Sequence, residues 1–503
     1  MEMEPGGPSS KKVKSAAVNS RQEAQAPPTP ASPATEAPCL DPAETPPAAD
    51  EDDGRVDRIS NLPDPILGEI VSLLRTKDGA RTQILASRWR HIWRTAPLNL
   101  DCRRLPDEEH GLTGVVSRII SAHPGPGRRL RIPAYYLQDR AATVDAWLRS
   151  PALDQLQELE FCHVSNCRPR LLRPLAPPPA STFRFSPTLR VVTIGRCLLP
   201  DSTVQGLHLP QLKQLALERV SISEGTLCGL IARCPALECL LIYYSFGFQC
   251  ARINSLSLIS IGVRLRHRYL SDHETDEPQF RELIIENAPS LERLLRVDIL
   301  DGLHVSIISA PKLETLGSLH GEMYLSSSIL QCCLLCFIKR LPSDSHTTVV
   351  GAVKVLYVRI TCLDIGTTLQ LLRCFPCLEK LYIQQSISGD LNLWKRKHRD
   401  LIKCLDLRLK TVVMQFYRGI RAQVNFATFF ILNARMLELM SFKVDTEYYC
   451  RAFLAEQRKE LQLEKRASRG ARFHFQTDRL LRCYSMINNV RDLDLSDPFV
   501  CKR

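Results

Sequence analysis

The spacing of apolar residues between positions 62 and 93 predicts two amphipathic helices. In the first, apolar side chains recur at steps of three and four, at Leu62, Ile66, Leu67, Ile70, Val71 and Leu74. Asp64 and Pro65 mark its start, because an N-cap acceptor followed by a residue without an amide proton suits a first helical turn. The second helix begins near Thr76 and continues through Ile84, Leu85, Trp89, Ile92 and Trp93. About thirty residues cannot enclose a large core, so an exposed apolar patch for a partner is expected.

A second pattern is a proline, one spacer and a ladder of the form Leu-x-x-Leu. Its copies start at Pro187, Pro210, Pro235, Pro289, Pro311 and Pro376, and a copy without proline starts at Leu156. Three neighbouring intervals are 23, 25 and 22 residues, which is the period of leucine-rich repeats. The leucines of such repeats point into a stacked interior, so the pattern predicts a short, curved solenoid with a parallel sheet from about Leu153 to Gln385.

The positions between the ladder leucines are expected to line the exposed concave face of that solenoid. Examples are Gln214, Ala216, Glu238, Cys239, Leu241, Arg293, Thr315, Lys380 and Tyr382. A face of this kind suits recognition of a target, because its side chains vary without disturbing the core. Nothing in these residues identifies a ligand, and a purely structural solenoid with recognition elsewhere stays an alternative.

The period is lost from about residue 395, where strand and helix patterns alternate. We predict strands at 409–414, 437–444 and 471–475, and helices at 424–432 and 449–468. This alternation describes a small α/β unit. Residues 477–503 are assigned to a C-terminal tail.

At the other end, residues 1–54 are rich in Pro, Ala, Ser and Glu and almost without large apolar side chains. Such a composition cannot bury enough surface to offset its ordering entropy, so we predict a disordered acidic head. Within it, Lys11, Lys12 and Lys14 form a short cationic strip of the nuclear-import type. Such tetrapeptides also arise by chance.

The formal net charge of +12 is unevenly distributed. Residues 1–53 hold 4 Lys and Arg against 10 Asp and Glu, whereas residues 395–503 hold 23 against 12. A basic C-terminal region could meet an acidic protein or the phosphate backbone of nucleic acid, but a solvated surface is the more frequent explanation. No apolar run reaches the roughly 18 residues of a membrane span, and no signal peptide is recognisable, so the 19 cysteines are expected to be reduced in an intracellular protein.

Two CxxC pairs, Cys333 with Cys336 and Cys374 with Cys377, have the spacing of a tetrahedral zinc site. They lie in apolar or repeat-like surroundings, so we interpret them as core cysteines. No phosphate-binding glycine loop, nucleophile elbow or paired-histidine motif occurs. We therefore predict no catalytic residues, no metal and no cofactor.

Residues 62–93 resemble an F-box, the motif with which substrate receptors bind the Skp adaptor of cullin-RING ubiquitin ligases. The resemblance rests on Leu62-Pro63-Asp64, the Lys77-Asp78 pair, Ala80-Arg81-Thr82 and the run from Ser87 to Trp93. It implies adaptor contacts at Leu62, Pro63, Ile66, Leu67, Ile70, Leu85 and Trp89. Gly79 has a low helix propensity and weakens the second helix by up to about 1 kcal/mol relative to alanine.

Residues 409–473 resemble the FBD domain of plant proteins. The resemblance rests on Val412-Val413, Tyr417-Arg418-Gly419, Phe429-Phe430 and Leu432-Asn433-Ala434-Arg435, while Arg408 and Gln423 depart from it. The order of the segments is similar to that of plant F-box/FBD/leucine-rich-repeat proteins. The expected organisation is a head at 1–54, an F-box three-helix unit at 55–98, a linker at 99–152, repeats at 153–394, a small α/β FBD domain at 395–476 and a tail at 477–503.

The resemblance implies a non-catalytic substrate-recognition subunit of a Skp-cullin-F-box ubiquitin ligase. The expected partners are a Skp-type adaptor, cullin through it, and an unknown target protein, in the nucleus, the cytoplasm or both. No membrane partner is expected, and nucleic acid is disfavoured. The alternative is a nuclear scaffold without ligase activity that binds nucleic acid through its basic C-terminal region, with an affinity that falls steeply with salt.

Overall fold

The computed structural model describes the chain in several stretches. They are residues 59, 61–102, 111–162, 174–265, 278–296, 303–321, 351–360, 372, 375–385, 408–478, 487, 489–494 and 499. The predicted acidic head with Lys11, Lys12 and Lys14 lies outside them, as do Cys333, Cys336 and Cys374. The predictions for those residues therefore stay predictions.

The N-terminal unit contains three helices, α1 (Asp64–Leu73), α2 (Thr76–Arg81) and α3 (Ser87–Thr95). The prediction of one continuous helix from Thr76 to Trp93 is wrong, because a 3-10 turn at Thr82–Ile84 is followed by extended backbone at Ala86. Asp64 is the first residue of α1, and its carboxylate accepts a hydrogen bond from Arg88 of α3 at 2.7 Å. The expected N-cap is thus an ion pair that joins two helices.

A single parallel sheet of fourteen strands forms the body of the described chain. Its strands, in spatial order, are β1 (Leu98–Asp101), β2 (Gly127–Pro133), β3 (Glu158–Cys162), β4 (Val191–Gly195), β6 (Gln214–Glu218), β8 (Cys239–Tyr243), β10 (Ser260–Arg264), β12 (Arg293–Arg296), β14 (Thr315–Gly321), β15 (Val355–Ile360), β16 (Lys380–Gln385), β17 (Thr411–Tyr417), β18 (Leu439–Asp445) and β19 (Arg472–Asp478). Spatial order follows chain order, so each strand pairs only with its sequence neighbours in the repeat, as in a solenoid.

Two smaller parallel sheets lie in the connections. They consist of β5 (Leu198–Leu199) with β7 (Ser221–Ile222), and of β9 (Cys250–Asn254), β11 (Glu282–Asn287) and β13 (His304–Ile307). The remaining helices are α4 (Gly111–Ala122), α5 (Tyr136–Asp139), α6 (Ala141–Leu148), α7 (Asp201–Val204), α8 (Glu224–Ala232), α9 (Arg421–Asn433) and α10 (Arg451–Glu460).

The ladder leucines form the main core between the sheet and the helices, as the repeat pattern predicts. Leu215, Leu240 and Leu294 are buried there together with Val116 of α4 and Leu227 of α8. Alternate strand residues point to the opposite side, which we call the front face. The front face has a smaller apolar cluster of its own.

The sheet extends beyond the predicted repeat region at both ends. The segment 99–152, expected to be a linker, contains β2 and nearly all of β1. The run Pro97-Leu98-Asn99-Leu100-Asp101 is a short strand candidate in the sequence, and β1 confirms it. Neither this run nor Leu130 with Ile132 has the Pro-x-Leu-x-x-Leu spacing of the later copies, so the repeat pattern did not include them. At the other end, β17–β19 continue the same sheet into the FBD region.

The elements predicted for the FBD region are confirmed with shifts of a few residues. The predicted helix at 424–432 is α9, and the charged helix at 449–468 is shorter, consisting of α10 and a 3-10 turn at Leu463–Lys465. Phe426 and Phe430 of α9 are fully buried in the main core. Together with β17–β19 these helices extend the α/β architecture of the repeats.

Candidate partner-binding surfaces

The core of the N-terminal unit is small. Leu67, Val71 and Ile92 are fully buried, and Leu62, Trp89 and Trp93 pack half-buried against them. Leu67, expected to contact an adaptor, therefore lies inside the bundle. Leu62 and Trp89 present only part of their surface to a partner.

Most other apolar side chains of this unit are exposed. We call them the N-terminal apolar surface: Pro63, Ile66, Ile70, Leu73, Leu74, Ile84 and Leu85. Ile66, Ile70 and Leu73 follow one another along one side of α1, as their spacing requires. Leu73, Leu74 and Ile84 were not among the predicted contact residues, although Leu73 is 81% and Ile84 83% exposed. Their spacing in the sequence could have indicated their exposure, because each is an apolar residue at a position that the three-residue core does not use.

The N-terminal unit is anchored to the first strands of the sheet. Arg128 donates two hydrogen bonds to the carboxylate of Glu69, at 2.7 and 2.8 Å. Thr76 donates to the carbonyl of Asn99 at 2.9 Å, and the Asn99 amide donates to the carbonyl of Ser72 at 2.7 Å. The apolar surface is therefore held at a fixed position relative to the start of the sheet.

His123 is a further part of this anchor. Its Nε2 lies 3.0 Å from the carbonyl oxygen of Trp93, and the two rings meet edge to face at 5.2 Å. The imidazole is 8% exposed, and burial lowers its pKa below the ordinary value of 6.5. The burial of His123 in this anchor therefore favours the neutral form of its imidazole.

This predicts a loss of stability on acidification. Because the folded-state pKa of His123 is lower than the unfolded-state pKa, its contribution is complete above pH 6.5 and declines as the pH falls through the folded value. We expect the thermal midpoint to fall between pH 7.5 and about 5.5, and the fall to be smaller in His123→Gln. An equal pH dependence of the two proteins would contradict this role.

Gly79 of α2 is in close contact with a tryptophan. A Cβ placed on Gly79 would lie 2.5 Å from Cζ3 of the Trp93 ring. The glycine that the sequence marks as a poor helix former is therefore required by packing. The side chain of Trp93 cannot move aside easily, since its ring also contacts His123.

We expect Gly79→Ala to destabilise the protein despite its better helix propensity. The gain of up to about 1 kcal/mol in propensity is exceeded by an overpacking cost of about 1–3 kcal/mol. Gly114→Ala is the matched control, because Gly114 also lies within a helix but its Cβ would meet open space. The two variants should change the urea midpoint in opposite directions, and two equal increases would refute the packing argument.

The front face of the sheet has one row of side chains, in register from β1 to β14, that changes character along its length. It begins with charged residues, Asp101, Arg131 and Glu160. It continues with small and apolar residues, namely Thr193, Ala216, Leu241, Gly262, Leu295 and Gly317. Next comes an aromatic pair, Tyr357 and Tyr382. Chemistry thus varies from strand to strand across this face.

The charged end is a compact ionic cluster. Glu160 is fully buried and pairs with Arg131 at 2.7 Å and with Arg129 at 3.5 Å. Arg131 also lies 3.7 Å from Asp101. Glu158 pairs with Arg129 as well.

Several front-face positions expected to be exposed are buried. Ala216 and Leu241 have no exposed surface, and Cys239 and Tyr382 are each 2% exposed. The reason is that described residues of the C-terminal segment lie on this face: Ile487, Val490, Leu493 and Phe499 share its apolar cluster. The expectation of an open recognition face is therefore wrong for these positions. The predicted tail at 477–503 is in this part a structural element.

Five of the nine described cysteines are buried, whereas Cys228, Cys250 and Cys377 are half-buried and Cys450 is exposed. The interpretation of Cys377 as a core cysteine is therefore wrong. Burial raises the pKa of the Cys102, Cys162, Cys197 and Cys234 thiols to about 12, so they are not nucleophiles at neutral pH. Within the described stretches no group of three or more potential ligands is placed to hold a metal ion. Nor does any described helix have the length and hydropathy to cross a membrane.

The fold and the N-terminal unit together define a leucine-rich-repeat solenoid that bears an apolar helical module. Two family models match the chain: one described as FBD-associated F-box protein At5g56370, LRR repeats, over residues 144–383, and the FBD family over residues 397–442.

Relatives from Arabidopsis thaliana are named for one or more of these modules. The FBD-associated F-box protein At5g60610 is 27% identical over 77% of this chain and 99% of its own length. The F-box/LRR-repeat protein At3g26922 is 25% identical over 57% of this chain and 89% of its own length. F-box protein At5g03100 is 26% identical over 46% of this chain and 71% of its own length. The chain thus matches leucine-rich-repeat and FBD family models and is similar to F-box/FBD/leucine-rich-repeat proteins, as its sequence indicates.

Proposed function

We propose that this protein is the substrate-recognition subunit of a Skp-cullin-F-box ubiquitin ligase. Membership of an F-box family supports a subunit role of this kind, and F-box proteins are in general non-catalytic. The observation that carries the proposal is the N-terminal apolar surface, because exposed Ile and Leu side chains around a three-residue core indicate a partner. A Skp-type adaptor would cover this surface, with cullin bound through the adaptor.

In this proposal the protein accelerates ubiquitin transfer by proximity. It holds a target lysine near the ubiquitin-loaded conjugating enzyme, which raises the effective concentration of the reactants. The anchor formed by Glu69, Arg128 and Asn99 supports such a role. It keeps the adaptor-binding surface and the repeats in one geometry, so that a bound target is presented in a constant direction.

The adaptor assignment is tested by a pull-down with purified Skp-type adaptor. We expect Ile66→Asp together with Leu85→Asp to weaken binding by at least about tenfold, because a charge would be buried at the centre of the contact. Both side chains are exposed in the free chain, at 48% and 65%, so folding should be retained.

Leu256→Asp is the matched control, since Leu256 is 70% exposed but lies in the repeats, between β9 and β10. It should bind the adaptor as the wild type does. Undiminished binding by the Ile66/Leu85 double variant would remove the basis of the proposal.

We also propose a location in the nucleus, the cytoplasm or both. The support is the Lys11, Lys12 and Lys14 strip of the sequence. A fluorescent fusion in which these three lysines are replaced by alanine should lose nuclear signal if the strip is an import signal.

A further inference from the structure

We propose that the front face of the sheet is a groove for a short protein segment that has an arginine followed by spaced large apolar residues, and that the C-terminal residues 487, 489–494 and 499 occupy it until such a segment of a target displaces them. The assignment of the displacing segment to a target rests on the proposed function. The groove and its internal occupant do not depend on the adaptor.

The first support is the shape of the groove. Gly262 of β10 and Gly317 of β14 both lie on the front-face row. A Cβ on Gly262 would be 2.7 Å from Leu493, and one on Gly317 would be 2.4 Å from the ring of Phe499. Glycine within a strand costs stability and marks a place where another group approaches closely. Two such glycines therefore form depressions that fit two large apolar side chains.

The second support is the aromatic end of the groove. The ring of Phe499 stacks on Tyr357 at 5.1 Å between centroids and meets Tyr382 at 5.2 Å. The pair Tyr357 and Tyr382, with Gly317 beneath, thus forms a pocket for one aromatic residue. Aromatic side chains in such pockets are typical anchors of peptide recognition.

The third support is charge. Arg129 and Arg131 of β2 pair with the carboxylates of Glu158 and Glu160, and Arg131 also lies near Asp101. Arg491 of the C-terminal segment lies 2.5 Å from Glu158 and 3.3 Å from Glu160, so it adds a cation beside a fully buried carboxylate. Without Arg491, Glu158 and Glu160 lose one of their ion-pair partners. Any segment that replaces residues 487–499 must therefore supply a cation at this point.

The fourth support is the way the segment is attached. Residues 490–494 form a 3-10 turn that crosses the strands and is not an added strand of the sheet. Side chains of this turn contact the sheet, with Arg491 at β3, Leu493 at β10 and Asp494 4.0 Å from Arg293 of β12. A peptide ligand bound in a groove makes side-chain contacts of this kind. Because the ligand is tethered, it competes at high effective concentration with any external segment.

The test uses the full chain and a fluorescent synthetic peptide of residues 487–499. We expect a variant with Val490→Asp and Leu493→Asp to bind the peptide at least about tenfold more tightly than the wild type, because its own segment no longer fills the groove. The same variant should bind an Arg491→Glu form of the peptide at least about tenfold more weakly. Adding Gly317→Val to the variant should also weaken binding of the unmodified peptide, since the Phe499 pocket is filled.

Three results would overturn the proposal. They are equal peptide binding by the wild type and the double variant, no binding by a folded double variant, and indifference to the Arg491→Glu change. Because no adaptor is present, these results are independent of the pull-down that tests the ligase role.

If the double variant does not fold, hydrogen exchange of the wild-type protein tests the proposal instead. The amides of residues 489–494 must exchange faster than those of β8 and β10, which shows that the segment leaves while the sheet stays folded. If they exchange only as slowly as these strands, the segment is an integral part of the fold and the proposal fails.

Discussion

Glu160→Ala should destabilise the protein by about 3–5 kcal/mol, which is the usual cost of removing one partner from a buried ion pair. Glu160 has no exposed surface and lies within 3.5 Å of Arg129, Arg131 and Arg491. Without its carboxylate the partly buried guanidinium groups of Arg129 and Arg131 lose an ion-pair partner that has no exposed surface. The effect should appear in the urea midpoint.

Glu238→Ala is the matched control for this prediction. Glu238 pairs with Lys213 at 2.6 Å, but both side chains are substantially exposed. An exposed pair contributes about 0–1 kcal/mol, so this variant should resemble the wild type. If both variants lose stability equally, the ionic cluster does not have the role that its burial indicates. Glu160→Gln should lie between them, because the amide still accepts a hydrogen bond.

The repeats were predictable because one apolar ladder determines both the strand and the core side of each repeat. Leu215 and Leu240 occupy neighbouring strands in register, as the 25-residue interval between their prolines requires. Strand β2 was missed and β1 was only a short strand candidate outside the repeats, since Leu98 with Leu100 and Leu130 with Ile132 do not follow the Leu-x-x-Leu spacing. Such short alternation becomes a strand only because a neighbouring strand offers hydrogen bonds, which is a tertiary effect.

The candidate surfaces were predictable to different degrees. The exposure of Ile66, Ile70 and Leu85 followed from a physical limit, because a short helical unit cannot bury so many apolar residues. The burial of the front face was not predictable. Val490 and Leu493 stand among polar and charged residues with no repeat, so no local pattern indicates that they contact strands more than two hundred residues earlier.

Gln423 has a structural role that its sequence position, a departure from the FBD pattern, did not indicate. In the structure its amide group closes the loop after β17: Nε2 donates to the carbonyl of Phe416 at 3.1 Å, and the backbone N–H of Arg418 donates to Oε1 at 2.8 Å. Phe416 has a φ of 53°, in the left-handed region. The side chain of Gln423 thus satisfies backbone groups that a strained turn leaves without partners in the sheet.

The same loop gives the second large effect, because Gly419→Ala should destabilise the protein by about 2–5 kcal/mol. Gly419 has a φ of 71°, where a side chain costs about 1–2 kcal/mol. A Cβ there would also lie 2.7–2.9 Å from three side-chain atoms of Gln457. Gln457 cannot withdraw freely, since it is buried and its Oε1 accepts a hydrogen bond from the Tyr417 hydroxyl at 2.6 Å. Overpacking of this kind adds about 1–3 kcal/mol.

Gly470→Ala separates this contact from a general effect of replacing glycine in the FBD region. A Cβ on Gly470 would meet open space, so the variant should stay within about 0.5 kcal/mol of the wild type. Tyr417→Phe tests the partner of Gln457, and we expect a loss of about 1–3 kcal/mol because a buried amide oxygen is left without its donor. Since β17–β19 belong to the same sheet as the repeats, these losses should appear in the unfolding of the whole sheet. A separate early transition confined to residues 408–478 would instead show that the FBD region unfolds independently.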